Sequence, residues 1–415
     1  MTNNADNAPS QKPKVEQNDK TARKNQRGYL LLILAFFALS LNLRAPLTSL
    51  PPIIQDIRNL FDIGGGFAGF LTSIPVLCFG LLTPLIGYLM KHLRLETSIF
   101  LTLLGIALGS ILRAEGTIGG VVFGTVIIGI ALTAGNIAGL LVIGREFPNR
   151  INAMTGLYVS GMSCGSMGTM ALTAPISHTL GWRIALASPA LLAFAAIALW
   201  IAAILRKQKN EAPQAAEKKK QRNSASPSVL KQPLVWILSA AFAAHTFLFY
   251  GITAWLPVYL EQTLQMSDAT AGMVASLFQL MGLLGCFGIP LLAGTQRLSN
   301  NGLFLVVTIS WTATVMGFWF APNLWFPWII CGGIGSGGGF TVIFSLIMHR
   351  AKDLNENRAM STVVQSAGYI VASFSPFAIG YLHELAHNWQ GSMALLTVAA
   401  VLMILCGLAA NRQST

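Results

Sequence analysis

Arg44 is the residue of this chain best suited to chemistry, because it lies inside a segment that is otherwise apolar. A guanidinium at the middle of a membrane helix costs about 2.5–3.5 kcal/mol on insertion scales, so such residues generally face a bundle interior or an aqueous cavity. Arginine keeps its proton and presents a planar set of donors, which suits a small anion or a polarised nitro, carboxylate or carbonyl group. The alternative is that Arg44 turns outward, or binds backbone carbonyls left open by Pro46, Pro51 and Pro52.

Other polar side chains accompany Arg44 along the apolar segments. Ser40, Arg44 and Thr48 are four residues apart, which predicts one polar stripe on a helix, and Asn42 lies beside it. His245 titrates near neutral pH and is suited either to proton coupling or to a hydrogen bond between helices. The remaining candidates for substrate contact are polar or aromatic residues of other apolar segments, which can alternatively bridge or pack helices: Asn136, Tyr250, Trp255, Gln279, Gln365 and Tyr369.

Acidic groups are missing from the apolar segments, since all fifteen Asp and Glu residues lie outside them or at their edges. A proton relay inside a membrane normally uses an embedded carboxylate, so proton symport based on Asp or Glu is disfavoured. Arg44 accordingly lacks a counter-charge, and an anionic or electron-rich substrate would supply one. The sequence contains no metal-ligand cluster, nucleophile–base pair or cofactor motif, so we expect no enzyme, no metal and no cofactor.

Composition predicts the elements that position these residues. Only 10% of the residues are charged and 53% are hydrophobic, whereas a soluble protein has about 25% charged residues. A membrane helix needs about 20 apolar residues. That length predicts twelve membrane helices, at 29–52, 65–89, 97–113, 119–143, 152–178, 184–205, 233–259, 269–293, 302–320, 325–348, 358–382 and 390–409.

The twelve segments divide into two groups of six around a Lys-rich stretch. An offset of 206 residues aligns Pro84 with Pro290 and Arg44 with Tyr250, which predicts two pseudo-symmetric six-helix bundles in an all-α membrane protein. We therefore expect a disordered tail at 1–28, an N-terminal bundle at 29–205, a linker at 206–232, a C-terminal bundle at 233–409 and a short tail at 410–415.

Basic residues predict the orientation in the membrane. Twenty-three of the twenty-seven Lys and Arg residues fall on one side of the predicted helices, and only Arg58, Arg113 and Arg183 fall in loops on the other. Basic loops stay in the cytoplasm, so both termini are expected there, in a multi-pass protein of the inner (cytoplasmic) membrane. This placement accounts for the net charge of +12. We expect the lipid bilayer and a small-molecule substrate as partners, no nucleic acid, and a monomer.

With twelve spans in two halves, the chain resembles the major facilitator superfamily over residues 29–409. More narrowly, several stretches resemble the cyanate permease and 2-nitroimidazole transporter family: Leu41-Asn42-Leu43-Arg44-Ala45-Pro46, Phe249-Tyr250 with Ala254-Trp255-Leu256-Pro257, and Gln365-Ser366-Ala367-Gly368-Tyr369. The resemblance implies secondary transport of a small solute. Lys91 and Arg94 lie in the loop that corresponds loosely to the superfamily motif between helices two and three. With Arg145 and Arg350 of later basic loops, they are the expected gating residues.

We therefore predict a secondary active transporter of a small anion or compact polar solute, similar to cyanate, nitrate or a nitroimidazole, that works by alternating access. One alternative is a multidrug-type exporter, for which apolar cations would be substrates. An alternative of another class is a membrane sensor that does not transport and acts through its central linker.

Overall fold

The computed structural model describes residues 28–90, 92–210, 227–295, 298–352 and 354–412, and helices make up most of them. The twelve long helices are α1 (Gly28–Phe61), α2 (Gly65–Leu89), α3 (Leu95–Arg113), α4 (Ile118–Glu146), α5 (Ile151–Leu180), α6 (Trp182–Asn210), α7 (Pro233–Leu264), α8 (Asp268–Gly294), α9 (Asn300–Phe320), α10 (Trp325–Arg350), α11 (Leu354–Ala372 with Phe374–Ala386) and α12 (Gln390–Arg412). The predicted all-α class is confirmed.

Within the described ranges, eleven of these helices are long and apolar enough to cross a membrane. The other is α5, whose 30 residues include many Gly, Ser, Thr and Met residues that lower its hydropathy. The bilayer-facing surface remains apolar, as shown by Leu191 and Phe320, whose exposed fractions are 73% and 74%. The twelve helices form two six-helix bundles, as predicted.

The two bundles are built from the first and last six helices. In the N-terminal bundle α3 packs on α4 and α6, and in the C-terminal bundle α10 packs on α8 and α9. The bundles meet where α5 packs on α8 and where α2 packs on α11. Residues at this interface can therefore contact a solute from both halves at once.

Glycines allow the closest helix contacts. On α2, a Cβ atom at Gly69 would lie 2.5 Å from the carbonyl carbon of Pro376 in α11, and one at Gly65 would lie 2.7 Å from the Gly380 oxygen. On α5, a Cβ at Gly161 would lie 2.6 Å from the Cβ of Ser40. Small residues thus let the backbones of α2 and α11 touch across the two bundles.

Helix α1 is interrupted, unlike the single helix predicted at 29–52. A regular helix covers residues 28–42, a one-turn helix covers Ala45–Thr48, a 3-10 turn covers Pro51–Ile53, and a last segment runs from Ile54 to Phe61. Prolines have no N–H to donate, so each one removes a backbone hydrogen bond and favours such breaks. Arg44 stands at the first break, as the N-cap of the Ala45–Thr48 turn.

Some predictions fall on residues outside the described ranges: most of the N-terminal tail, the central part of the linker at 211–226, Lys91 and residues 413–415. The predicted domain boundaries stay predictions. The end of the helices that carries the α1–α2 loop, which sequence analysis assigns to the exterior, is called the outer end below.

Candidate functional site

Arg44 reaches from the break in α1 across to α7 of the other bundle. Its Nη1 lies 3.5 Å from the hydroxyl oxygen of Tyr250, at the long limit of a hydrogen bond. Its Cζ lies 5.3 Å from the ring centre of Phe249 and 5.9 Å from that of Tyr250, within the range of cation–π attraction. The side chain is half-buried. Arg44 therefore faces the interface between the bundles, and lipid is not its environment.

Three tyrosines surround the guanidinium. Arg44 interacts electrostatically with Tyr158 of α5 and Tyr369 of α11 as well as with Tyr250. The ring centres of Tyr250 and Tyr369 are 6.2 Å apart, and the Tyr158 hydroxyl donates a hydrogen bond to Oδ1 of Asn136, at 3.3 Å. Among the described residues no carboxylate pairs with Arg44. The described side chains around this positive charge are uncharged, so the site is electropositive.

A cavity with an empty volume of about 340 Å³ lies beside Arg44. Its lining includes Thr48 of α1, Thr72 of α2, Tyr250 of α7 and Gln279 of α8, so both bundles contribute to it. Gln279 Nε2 donates to Thr253 Oγ1 at 3.1 Å, which holds the amide against α7.

The predicted polar stripe on α1 is divided by the break. Thr48 lines the cavity, but its hydroxyl is bound to α5, 2.8 Å from Thr169 Oγ1. Ser40 is fully buried and donates to the Phe36 carbonyl on its own helix. Asn42 is also buried, and its amide donates to the carbonyl of Leu192 in α6. The structure thus places Arg44 and Thr48 at the cavity, and Ser40 and Asn42 in contacts within the N-terminal bundle.

The predicted site residues of the C-terminal bundle also do not all lie at the cavity beside Arg44. His245 is fully buried, and its Nδ1 accepts a hydrogen bond from Trp311 Nε1 at 3.1 Å, inside the bundle. Trp255 donates from Nε1 to the Pro376 carbonyl at 2.8 Å and lines a second, apolar cavity. Gln365 is half-buried on α11, one turn before Tyr369. Of these, only Tyr369 is among the residues that interact with Arg44.

Two of the four expected gating residues make contacts within single bundles, and Lys91 lies outside the described residues. Arg145 at the end of α4 forms a 2.7 Å ion pair with Glu96 at the start of α3. Arg350 of α10 donates to the Ala410 carbonyl of α12, at 3.4 Å. Arg94 is exposed. Their gating role stays a prediction.

Besides the Arg44–Tyr250 contact, two polar contacts between the bundles lie at the outer end. His178 of α5 lies 3.2 Å from the carboxylate of Asp268 in α8. The backbone N–H of Gly66 in α2 donates to Glu384 Oε2 of α11, at 3.3 Å. Both contacts join residues on opposite sides of the interface, so they hold the outer end closed in this conformation.

Several residues near the site were not among the sequence candidates, including Thr72 and Ser166 of the cavity lining. Tyr158 lies within α5 and, as an aromatic residue of an apolar segment, could have been included. Arg113 was predicted to end the helix at 97–113 and was also counted with the basic residues of the outer loops. It is the last residue of α3, as that span predicts, but only 2% of it is exposed. Its position at the end of an apolar segment gave no sign of burial.

Comparisons with known proteins agree with this architecture. A sequence profile described as Major Facilitator Superfamily matches residues 30–376. The transporter YycB of Bacillus subtilis (strain 168) is 29% identical over 386 residues, which are 92% of this chain and 94% of that protein. The 2-nitroimidazole transporter of Escherichia coli (strain K12) is 26% identical, with 92% and 96% covered, and the cyanate transport protein CynX of the same organism is 24% identical, with 90% and 96% covered.

Solved structures show the same fold at low identity. A bacterial homolog of the human lysosomal transporter Spinster, in an inward-facing and unoccupied conformation, superposes with a TM-score of 0.71 at 15% identity, over 94% of this chain and 97% of that one. A D-xylose–proton symporter superposes with a TM-score of 0.70 at 13% identity, over 92% and 97%.

Proposed function

Because this chain belongs to the Major Facilitator Superfamily, we propose that it is a secondary active transporter of a small anion or a compact polar solute, of the cyanate, nitrate or nitroimidazole type. The solute binds Arg44 in the cavity between the bundles and crosses by alternating access.

One observation carries the proposal: a guanidinium without a carboxylate partner among the described residues lines a small cavity shared by both bundles. An anion supplies the missing counter-charge, and a nitro group offers two oxygens to the planar fork of donors. A flat solute can also pack on the rings of Phe249 and Tyr250, which already lie beside the guanidinium. Relatives named for 2-nitroimidazole and cyanate transport support the same class of solute.

Alternating access is supported by the position of the cavity. In this fold one bundle rocks against the other around a site near mid-membrane. The Arg44–Tyr250 contact joins α1 to α7 and therefore crosses the plane along which the bundles move. The charge distribution supports cytoplasmic termini and a place in the inner membrane, and a monomer suffices because one chain supplies both halves of the cavity.

The cavity is less suited to the cationic drugs of a multidrug-type exporter. A cation needs a carboxylate or an uncharged aromatic cage, and here a fixed positive charge occupies the lining. Moving an apolar cation next to Arg44 would bring two like charges together in a medium of low dielectric constant.

The test is uptake into proteoliposomes of labelled cyanate and labelled 2-nitroimidazole by wild type, Arg44→Ala and Arg44→Lys. A hydrogen bond to a charged group contributes about 1.5–3 kcal/mol, so Arg44→Ala should lower transport efficiency by roughly 10- to 150-fold. Arg44→Lys keeps the charge but loses the planar set of donors. Its transport efficiency should therefore lie between those of the wild type and Arg44→Ala.

Arg58→Ala is the matched control, because Arg58 lies on the same helix α1 and donates to Gln55 at 2.8 Å. It should transport at the wild-type rate. Wild-type transport by Arg44→Ala, at equal amounts of protein in the membrane, would refute the assignment of the site.

A further inference from the structure

A second arginine, Arg113, lies behind the break in α1. Its Nε donates to Thr125 Oγ1 of α4 at 2.9 Å, and its Nη1 donates to the carbonyl oxygen of Pro46 at 2.8 Å. Pro46 is only two residues from Arg44 and belongs to the one-turn helix that Arg44 caps. The guanidinium of Arg113 thus touches the short segment that carries the proposed binding residue.

The burial of Arg113 requires compensation. Taking a charged side chain out of water costs several kcal/mol unless its donors find good acceptors. In the part of the chain that the structure describes, no carboxylate pairs with Arg113, and its polar partners are one hydroxyl and one backbone carbonyl. The Pro46 carbonyl is therefore one of the two polar groups that compensate this charge.

The break in α1 supplies carbonyls that need donors. A backbone carbonyl without a partner inside the bilayer costs several kcal/mol. The Ala45 carbonyl accepts a hydrogen bond from Thr169 Oγ1 at 2.9 Å. The Pro46 carbonyl accepts from Ser49 Oγ at 3.0 Å and from Arg113. Of these donors, only Arg113 is charged, and charge-assisted hydrogen bonds are about twice as strong as neutral ones.

The neighbouring helix is shaped to admit the side chain. A Cβ atom at Gly124 of α4 would lie 2.8 Å from the backbone nitrogen of Arg113 and 3.0 Å from its Cγ, both too close for an ordinary contact. A glycine at this position lets α3 and α4 approach and leaves room for Arg113 to run toward α1. The close packing of α3 on α4 at Gly124 thus accommodates the contact with Pro46.

We infer that Arg113 is a positioning residue: by holding the Pro46 carbonyl it fixes the turn Ala45–Thr48 and so directs the side chain of Arg44 into the cavity. The inference rests on the proposed function in so far as Arg44 binds the solute. It assigns to Arg113 no contact with the solute itself.

The first measurement needs no substrate. Leu47 is half-buried and lines the cavity. The substitution Leu47→Cys, in a background whose five native cysteines are replaced by alanine, reports the orientation of the turn through its rate of reaction with a small water-soluble thiol reagent. We expect Arg113→Met to change this rate at least threefold. Arg183→Met is the control, because it removes an exposed arginine from the same outer end.

The second measurement is the kinetics of cyanate uptake. Arg113→Met should raise KM at least tenfold with a smaller change in maximal rate, and Arg113→Lys, which keeps one charged donor for Pro46, should recover part of the loss. Thr125→Val removes the other anchor while leaving the charge, and should raise KM by a smaller factor. Thr125→Val also replaces Arg113→Met as the test variant if Arg113→Met does not accumulate in the membrane.

The outcomes separate the two proposals. Unchanged thiol labelling at position 47 and unchanged KM in Arg113→Met, or in Thr125→Val if the first variant does not fold, would overturn the inference. A lower melting temperature with both readouts unchanged would assign Arg113 to stability alone and overturn it equally. If the wild type carries neither cyanate nor 2-nitroimidazole, the proposed function fails, and the labelling rate still decides whether Arg113 positions the turn.

Discussion

Replacement of Gly69 by alanine should shift the protein away from the conformation described here. Gly69 lies on α2 where this helix touches α11 at the outer end. A Cβ at this position would lie 2.5 Å from the carbonyl carbon of Pro376 and 2.9 Å from the Cα of Phe377, whereas ordinary contacts begin at 3.4 Å. Both neighbours are backbone atoms, so no side-chain rotation relieves the overlap, and the two helices must separate.

The size of this overlap determines how much Gly69→Ala destabilises the closed contact between α2 and α11. The contact with the Pro376 carbonyl carbon falls short of 3.4 Å by roughly 0.9 Å, and the Pro376 carbonyl oxygen would lie closer still. Overpacking of this kind costs about 1–3 kcal/mol. The cost applies only while α2 and α11 touch, so states in which the outer end is open are favoured. An energy of about 1–3 kcal/mol changes such an equilibrium roughly 5- to 150-fold.

The assay compares thiol labelling from the two sides of sealed membrane vesicles. With a cysteine introduced at position 47 and the native cysteines replaced, a membrane-impermeant maleimide should label Gly69→Ala faster than the parent protein from the outer end. The maximal transport rate should fall, because the proposed alternating access requires the protein to pass through the conformation in which the outer end is closed, and Gly69→Ala makes this step slower.

Gly87→Ala is a suitable control on the same helix. A Cβ at Gly87 would meet only Ile137 Cδ1, at 3.9 Å, which is an ordinary contact. Both substitutions raise helix propensity by about 1 kcal/mol, so the difference between them isolates the contact with α11. Equal labelling of the two variants would show that the α2–α11 contact does not limit opening at the outer end, and the reasoning would be refuted.

Two further changes test individual side chains. Tyr250→Phe keeps the ring beside Arg44 but removes a long hydrogen bond, so KM for cyanate should rise only about two- to fivefold in uptake assays; a loss as large as that of Arg44→Ala would contradict this ranking. Trp311→Phe leaves Nδ1 of the buried His245 without its donor and should lower the free energy of unfolding by about 1–3 kcal/mol, seen as a lower melting temperature than in the exposed control Trp236→Phe. A change in KM or in the pH profile of Trp311→Phe would instead place His245 in the transport step.

The sequence alone was sufficient for the number and approximate positions of the long helices, but not for the break in α1, and for one contact of the site. Hydrophobic length predicts the helices because the bilayer demands about 20 apolar residues, whatever the packing. The offset of 206 residues aligned Arg44 with Tyr250, and the structure brings these two side chains within 3.5 Å. A duplicated fold places equivalent residues of the two halves at equivalent depths, so this contact follows from the repeat.

Other contacts depend on packing that no local pattern reveals. Arg113 ends an apolar segment, so it was counted with the basic residues of a loop, whereas its burial depends on Gly124 of the next helix and on the carbonyl of Pro46 at the break in α1. The partner of His245 is Trp311, 66 positions further along the chain. Ser40 shares a helical face with Arg44 in a regular helix, but the break in α1 separates them.

The polar character of α5 has a consequence for how the protein reaches its final topology. During synthesis each segment must move from the translocation channel into lipid before the helices that will pack against it have been made. The hydropathy of α5 lies below the threshold for a membrane span that the other eleven described helices reach. If α5 failed to enter the bilayer, every later span would be inserted in the opposite orientation. The basic cluster that follows α6 opposes this outcome, because it resists export and so anchors the α5–α6 pair as a unit.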